Sequence, residues 1–337
     1  MSLLITGGLG FLGLQTAKHF LRRGEVWSPL FKRVVPLKQL TLFDVPAALS
    51  EDIPAELRED NRLRIMTGDL TVQGVADEII DNDDLSVVHL ASMVSGDTEQ
   101  SPERGWAVNV EGQRALLEAL RVKAPGARFL FTSSTATIGP VTDGAAAPDD
   151  TTKLLPQNTY GFHKAVCELM VNDYSRRGWV EARGLRLPVI VVRPGVPNAA
   201  LTGAWSTVVR EPLAGENCTI PIPLDVRMPI ASYQTVVQAT GMLLNDIDDA
   251  ALGLDRTLML PSLSASCAEL YDAAAAFATE HGVSIGKARE RPQEMATRIV
   301  TGMGSSTDGA RGVALGLPQD ESAAAIVAAY AQDYVSV

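Results

Sequence analysis

Apolar runs alternate with amphipathic stretches from the first residues of the chain. Ser2 to Thr6 is a short, largely apolar run. Gly7, Gly10 and Gly13 follow at three-residue intervals in the stretch Thr6-Gly7-Gly8-Leu9-Gly10-Phe11-Leu12-Gly13. Phe11, Leu12, Leu14, Ala17, Phe20 and Leu21 then recur at helical spacing as far as Arg23. The pattern predicts a strand, a glycine turn and an amphipathic helix. Residues 25–38, with two prolines, read as irregular, and further strands are predicted at 39–43, 62–67, 86–91, 127–132 and 185–192, the last broken by Pro188. Helices are predicted at 72–80, 106–122 and 158–177, with a loop rich in Ala, Asp and Pro at 142–156.

Strands alternating with helices imply a parallel sheet with right-handed crossovers. Beyond residue 197 that rhythm fails. Pro212, Pro221, Pro223 and Pro229 interrupt the chain, and helices at 236–245, 267–281 and 322–334 are separated by short extended pieces. The expected organisation is a nucleotide-binding domain over 1–197 and a smaller lobe over 198–337 that closes on the ligand.

Length and composition then narrow the function. A chain of 337 residues can bury a large core, and 46% hydrophobic with 20% charged residues excludes disorder. A net charge of −11 opposes binding to a nucleic-acid backbone, which needs concentrated positive charge. Cys167, Cys218 and Cys267 are odd in number and far apart, which predicts reduced thiols with no disulfide and no metal site. The first strand begins at the second residue, leaving no room for a signal segment, and no apolar run approaches the roughly 20 residues of a membrane helix. No membrane association and a cytoplasmic protein are expected.

The glycine turn is the first candidate site. Glycines allow a sharp turn, a close backbone approach to phosphate and tight packing of helix on strand, so that a pyrophosphate rests on the N–H groups of the helix start. A plain tight turn would use the same residues, but this one lies between a strand and a helix. Asp44 ends the strand at 39–43 and can accept both hydroxyls of an adenosine ribose while repelling a 2′-phosphate, which favours NAD over NADP. A solvated turn aspartate is the alternative. Asp69 is placed to cap the helix at 72–80, to contact adenine, or both. His89, inside an apolar strand, reads as a core residue.

Tyr160 and Lys164 are four apart on a predicted helix and therefore share a face. Ser134 lies 26 residues before Tyr160 at a strand end, where open parallel sheets bind ligands. Oxidising a secondary alcohol requires a base for the hydroxyl proton. A free tyrosine titrates near roughly 10, so a neighbouring ammonium is needed to favour its phenolate. Lys164 supplies that field and holds the nicotinamide ribose, and Ser134 fixes the substrate oxygen against Tyr160. For a small organic acid, arginine is suited to the carboxylate. Arg210 is the first candidate, with Ser92 and Ser206 as hydroxyl partners and Arg227 and Arg193 in reserve; a salt bridge is the competing role for Arg210.

These motifs together resemble the extended short-chain dehydrogenases/reductases, which include nucleotide-sugar epimerases and dehydratases. The matching pieces are Thr6 to Gly13, Asp44, Gly68-Asp69-Leu70, His89-Leu90-Ala91, Asn109-Val110-Glu111-Gly112, Ser133-Ser134, Tyr160-Gly161-Phe162-His163-Lys164 and Arg193-Pro194-Gly195. The resemblance implies a Rossmann-type, doubly wound α/β fold and an NAD cofactor. It implies that Phe11 and Leu12 join the pyrophosphate turn, that Asp69 and Leu70 flank adenine, that Leu90, Ala91 and Asn109 line the cofactor site, and that Pro194 and Val196 border the nicotinamide. It also implies a homodimer formed through the helices holding Asn109 and Tyr160.

Residues 192–200 and Arg210-Glu211-Pro212-Leu213-Ala214-Gly215 look like the D-erythronate dehydrogenase branch, as do Asp308, Arg311 and Leu315-Gly316-Leu317. That branch oxidises four-carbon sugar acids with NAD. Its pattern carries histidines where this chain reads Arg227-Met228-Pro229-Ile230-Ala231-Ser232. The expected function is NAD-dependent oxidation of a small sugar acid. The alternatives are a nucleotide-sugar epimerase or dehydratase holding its NAD tightly, and a dinucleotide-sensing protein without turnover.

Overall fold

The computed structural model describes residues 1–49, 53–141, 144–195 and 201–335. Fourteen strands are found among them: β1 (Ser2–Thr6), β2 (Glu25–Ser28), β3 (Arg33–Pro36), β4 (Gln39–Asp44), β5 (Leu63–Thr67), β6 (Leu85–His89), β7 (Arg128–Ser134), β8 (Glu181–Leu187), β9 (Val189–Val191), β10 (Cys218–Ile220), β11 (Arg227–Ser232), β12 (Thr257–Met259), β13 (Leu263–Ser266) and β14 (Ala288–Glu290). Seven form one sheet in the order β12-β8-β7-β6-β1-β4-β5, and the pairs from β5 through β7 run parallel. The strand order reverses direction at β1, the switch point at which doubly wound sheets open a ligand crevice. β1 and β6 are almost wholly buried, as near-continuous apolar runs covered on both faces require.

The chain divides into two compact units, each of three segments. The first comprises residues 1–137, 158–186 and 237–258, and the second 138–157, 187–236 and 259–337. A single boundary at 197 therefore describes the interleaving incompletely. In the first unit, Leu4, Val87, Phe129, Leu116, Leu120 and Val171 belong to one buried core. Residues 237–258 join this unit through β12 and through the end of the helix Tyr233–Asn245. Buried Arg128 and Arg183, on β7 and β8, donate to Leu244 O and Leu243 O, each at 2.7 Å, satisfying carbonyls left over at that helix end. The second unit packs Trp205, Val208, Ile230, Leu270 and Ile326 into its own core and contains the three-stranded sheet β13-β11-β9.

Several elements differ from the sequence expectation. Residues 25–38 form an antiparallel hairpin, β2 with β3, because both prolines sit outside its paired interior or at its final residue. The run at 185–192 is two strands in different sheets. Pro188 lacks the N–H that would continue a ladder, and the chain leaves the large sheet there. The helix at 72–80 shortens to Val75–Ile79 behind Gly74, so Asp69 does not cap it. The helix at 106–122 is composite: Pro102–Trp106, a wide π-type turn over Ala107–Glu111, and Gly112–Lys123.

Candidate active site

The glycine turn links β1 to the helix Phe11–Arg23. Gly7 has φ +67°, and a Cβ there would lie 2.7 Å from Ala91 N, so the turn runs against the backbone that follows β6. A Cβ on Gly13 would overlap Gly7 O and sit 2.6 Å from Gly8 Cα, which fixes how closely the helix meets the turn. Gly10 is the N-cap, in extended conformation and with no side-chain cap, so Phe11, Leu12 and Gly13 form a first turn whose positive end suits an anion. Leu90 N donates to Thr6 O at 3.0 Å, which holds Leu90 and Ala91 beside the turn.

Asp44 reaches the same place from β4. Its Oδ2 accepts from Leu9 N at 3.0 Å and its Oδ1 from Val45 N at 2.8 Å, so the carboxylate leans over the glycine turn. Asp69 closes a local turn, accepting from Thr71 N and Thr71 Oγ1 at 2.9 and 2.8 Å. Leu70 is buried against Gly112. These residues line the end of the sheet where β1, β4 and β5 terminate. The turn and its helix start offer backbone N–H groups to an anion, and the acidic side chain beside them offers a hydrogen-bond acceptor.

Asn109 lies in the π-type turn and is buried. Its Oδ1 accepts from Met93 N at 2.7 Å and from Ser92 Oγ at 3.1 Å, and its Nδ2 donates to Met93 O at 3.0 Å. Asn109 thus fixes both sides of the Met93 peptide and the hydroxyl of Ser92. The wider turn changes the angular register of the helix, an effect that side-chain periodicity alone does not reveal.

β7 ends at Ser134, and the helix Thr159–Arg176 starts behind Asn158, whose Oδ1 accepts from Gly161 N at 2.7 Å. This cap sets Tyr160 in the first turn and Lys164 one turn later. Lys164 Nζ donates to Thr132 O at 2.8 Å and lies 5.5 Å from the centre of the Tyr160 ring. Burial pushes the Tyr160 phenol up to about 12, with the nearby Ser134 hydroxyl acting against the rise. Burial also pushes Lys164 down to about 8, opposed by Cys167 and Glu168. The three residues named from sequence are therefore gathered in the first unit, and a cationic ligand there would favour the phenolate.

His89 is buried with Nδ1 2.6 Å from Thr6 Oγ1, and burial holds it down at about 3, well below its usual range. It is a core residue. Sequence reasoning did not find Glu168, which accepts from Ser133 Oγ and forms a fully buried pair with Arg186, Nη2 to Oε2 at 2.7 Å. Its position four residues after Lys164 on the same helix face was the available signal.

In the second unit, Ser206 and Arg210 have internal partners. Ser206 Oγ accepts from Arg193 N at 3.0 Å, and Arg210 Nη1 donates to Arg193 O at 2.6 Å. Arg210 Nη2 also bonds Glu211 Oε1 at 2.6 Å and Thr207 Oγ1 at 3.3 Å. The two side chains clamp the Arg193 peptide, which leads into Pro194 and Gly195 beyond β9. Arg227 pairs with Glu269 at 2.8 Å. Val196 lies outside the described residues. Among the described residues no cluster of three or more His, Cys, Asp or Glu could hold a metal, and no helix is long and apolar enough to cross a membrane.

Comparison with known proteins agrees with this arrangement. Residues 3–253 match the model of the NAD dependent epimerase/dehydratase family. The chain is 40% identical to the D-erythronate dehydrogenase of Cupriavidus necator, over 99% of this chain and 98% of that one. It is 39% identical to the D-erythronate dehydrogenase of Haemophilus influenzae over 70% of each. The crystal structure of a nucleoside-diphosphate-sugar epimerase from Agrobacterium tumefaciens superposes with a TM-score of 0.87 at 31% identity, covering 99% of this chain and 94% of that one. With its glycine turn, its Ser134, Tyr160 and Lys164 and a match over most of its length, the chain belongs to the NAD dependent epimerase/dehydratase family, the extended short-chain dehydrogenases/reductases.

Proposed function

We propose that this protein oxidises a secondary alcohol of a four-carbon sugar acid of the D-erythronate kind, with NAD as hydride acceptor. The observation that carries the reading is the Ser134–Tyr160–Lys164 constellation beside the glycine turn, in a chain similar to D-erythronate dehydrogenases along its length. The Gly7–Gly13 turn would hold the pyrophosphate, Asp44 the adenosine ribose and Lys164 the nicotinamide ribose, with Asp69, Leu70, Leu90, Ala91 and Asn109 around them. NAD supplies the electron-pair sink for the substrate hydride.

The chain's own residues handle the proton. Ser134 positions the substrate hydroxyl, and Tyr160 Oη takes its proton as the carbonyl forms. Burial alone opposes the phenolate, since it pushes Tyr160 to about 12. The Lys164 ammonium and the cationic nicotinamide ring both act against that penalty. Ser92, held by Asn109, is a second hydroxyl contact for the substrate. A cytoplasmic homodimer completes the proposal, and sedimentation giving only monomer at micromolar concentration would remove the dimer from it.

The test is NADH formation from NAD with four- to six-carbon aldonic acids, beside NADP and UDP-sugar controls. Turnover with NAD and a sugar acid is expected, and Tyr160→Phe lowers it by about 10²–10⁴-fold. Intact turnover in Tyr160→Phe would refute the mechanism. Similarity to the Agrobacterium epimerase favours a second reading, a nucleotide-sugar epimerase or dehydratase. Cofactor retained through desalting together with conversion of a nucleotide sugar would select it.

A further inference from the structure

Ser133 and Ser134 are neighbours at the end of β7. Ser134 is close enough to Tyr160 to act on its phenol, and Ser133 is buried and donates to Glu168 Oε1. Both partners lie on the helix Thr159–Arg176, eight residues apart and therefore just over two turns. Lys164 lies between them and reaches Thr132 O at 2.8 Å. Thr132 and Ser133 of one strand are thus tied to two points on one helix, next to the place where Ser134 faces Tyr160. Arg186, from the adjacent strand β8, grips Glu168 through Nε at 3.0 Å and Nη2 at 2.7 Å. Glu168 and Arg186 are each 2% exposed, so the carboxylate is charge-compensated and held from two strands.

We infer that Ser133 and Glu168 are positioning residues: their buried hydrogen bond, held by Arg186, sets the spacing between β7 and the helix at which Ser134 meets Tyr160. The inference rests on the proposed role of Tyr160. A misplacement of about 1 Å at a catalytic contact can cost about 10²-fold in rate. Glu168 has a second effect through Lys164, one turn away. Its negative charge supports the ammonium against the burial that pushes Lys164 down.

The test uses Ser133→Ala, which removes the bond and leaves the Glu168–Arg186 pair, and Glu168→Gln, which keeps an acceptor oxygen for Ser133 and removes the charge. In Ser133→Ala, kcat is expected to fall at least about 10-fold with KM for NAD within twofold, and Ser133→Thr restores most of it. In Glu168→Gln, the acidic limb of the kcat–pH profile is expected to move to higher pH, because Lys164 loses its proton earlier and supports the phenolate less. Each variant stands as a test if the other fails to fold. A Ser133→Ala enzyme with kcat within twofold of the parent, or a Glu168→Gln enzyme with an unmoved acidic limb, overturns the inference. Tyr160→Phe is assayed alongside. Its inactivity with an unaffected Ser133→Ala rejects the positioning role alone, whereas its full activity rejects the proposed mechanism.

Discussion

Lys164 should cost the folded protein stability, and Lys164→Met exposes that cost. The side chain is 3% exposed and burial pushes its ammonium from an ordinary 10.5 to about 8. At about 1.4 kcal/mol per unit, the shift corresponds to roughly 3 kcal/mol of unfavourable burial at pH 7. Methionine fills the same space without charge, but it loses the bond to Thr132 O, worth about 1 kcal/mol. The net gain is about 1–3 kcal/mol, or a rise in Tm of roughly 1–4 °C for a chain of 337 residues.

The pH dependence carries the sign. The folded pKa lies below the unfolded one, so between about 8 and 10.5 the unfolded chain binds more protons and stability rises with pH. The deficit is complete below pH 8 and gone above 10.5. Thermal melts of both proteins at pH 7 and pH 10.5 should therefore show the variant ahead at pH 7 and its lead shrinking at high pH. Groups away from Lys164 titrate equally in both, so the difference reports Lys164 together with the neighbours its charge acts on, His89, His163 and Cys167. A variant that melts below the parent at pH 7, or a gap that does not change with pH, would refute the reasoning. Turnover should be lost in the variant throughout.

Two further outcomes test the cofactor end. Gly13→Ala places a Cβ 2.6 Å from Gly8 Cα, about 1 Å inside contact, so the helix start must shift from the turn. Calorimetric titration should show NAD binding weakened by about 10–100-fold, the equivalent of the 1–3 kcal/mol that overpacking costs, and unchanged affinity would remove the turn from the site. Asp44→Ala removes a charged acceptor that already holds Leu9 N. KM for NAD should rise about 10–100-fold and the preference over NADP should narrow, since hydrogen bonds to charged groups contribute about 1.5–3 kcal/mol; an undiminished preference would separate Asp44 from the ribose.

The sequence by itself determined the local geometry of the nucleotide half. A turn that needs φ +67° at Gly7 and no side chain at Gly13 can be read from glycine spacing, and two residues four apart on a helix share a face whatever the helix packs against. Tyr160, Lys164 and Ser134 were accordingly legible, as was the alternation that builds the large sheet. Tertiary structure decided what depends on distant partners. β12 enters the large sheet from residue 257, after two of the second unit's three segments have intervened, and a strand of only Thr257, Leu258 and Met259 carries no mark of which ladder it joins. Pro188 was visible as a break, but that β9 pairs with β11 followed only from the fold. Arg210 looked like an anion ligand because arginine is suited to carboxylates, and only the folded chain gives it Glu211 and the carbonyl of Arg193 as partners. Glu168 was an ordinary helical glutamate in the sequence. It became a buried brace because Ser133 and Arg186, 35 residues before it and 18 after it, are brought to it by adjacent strands.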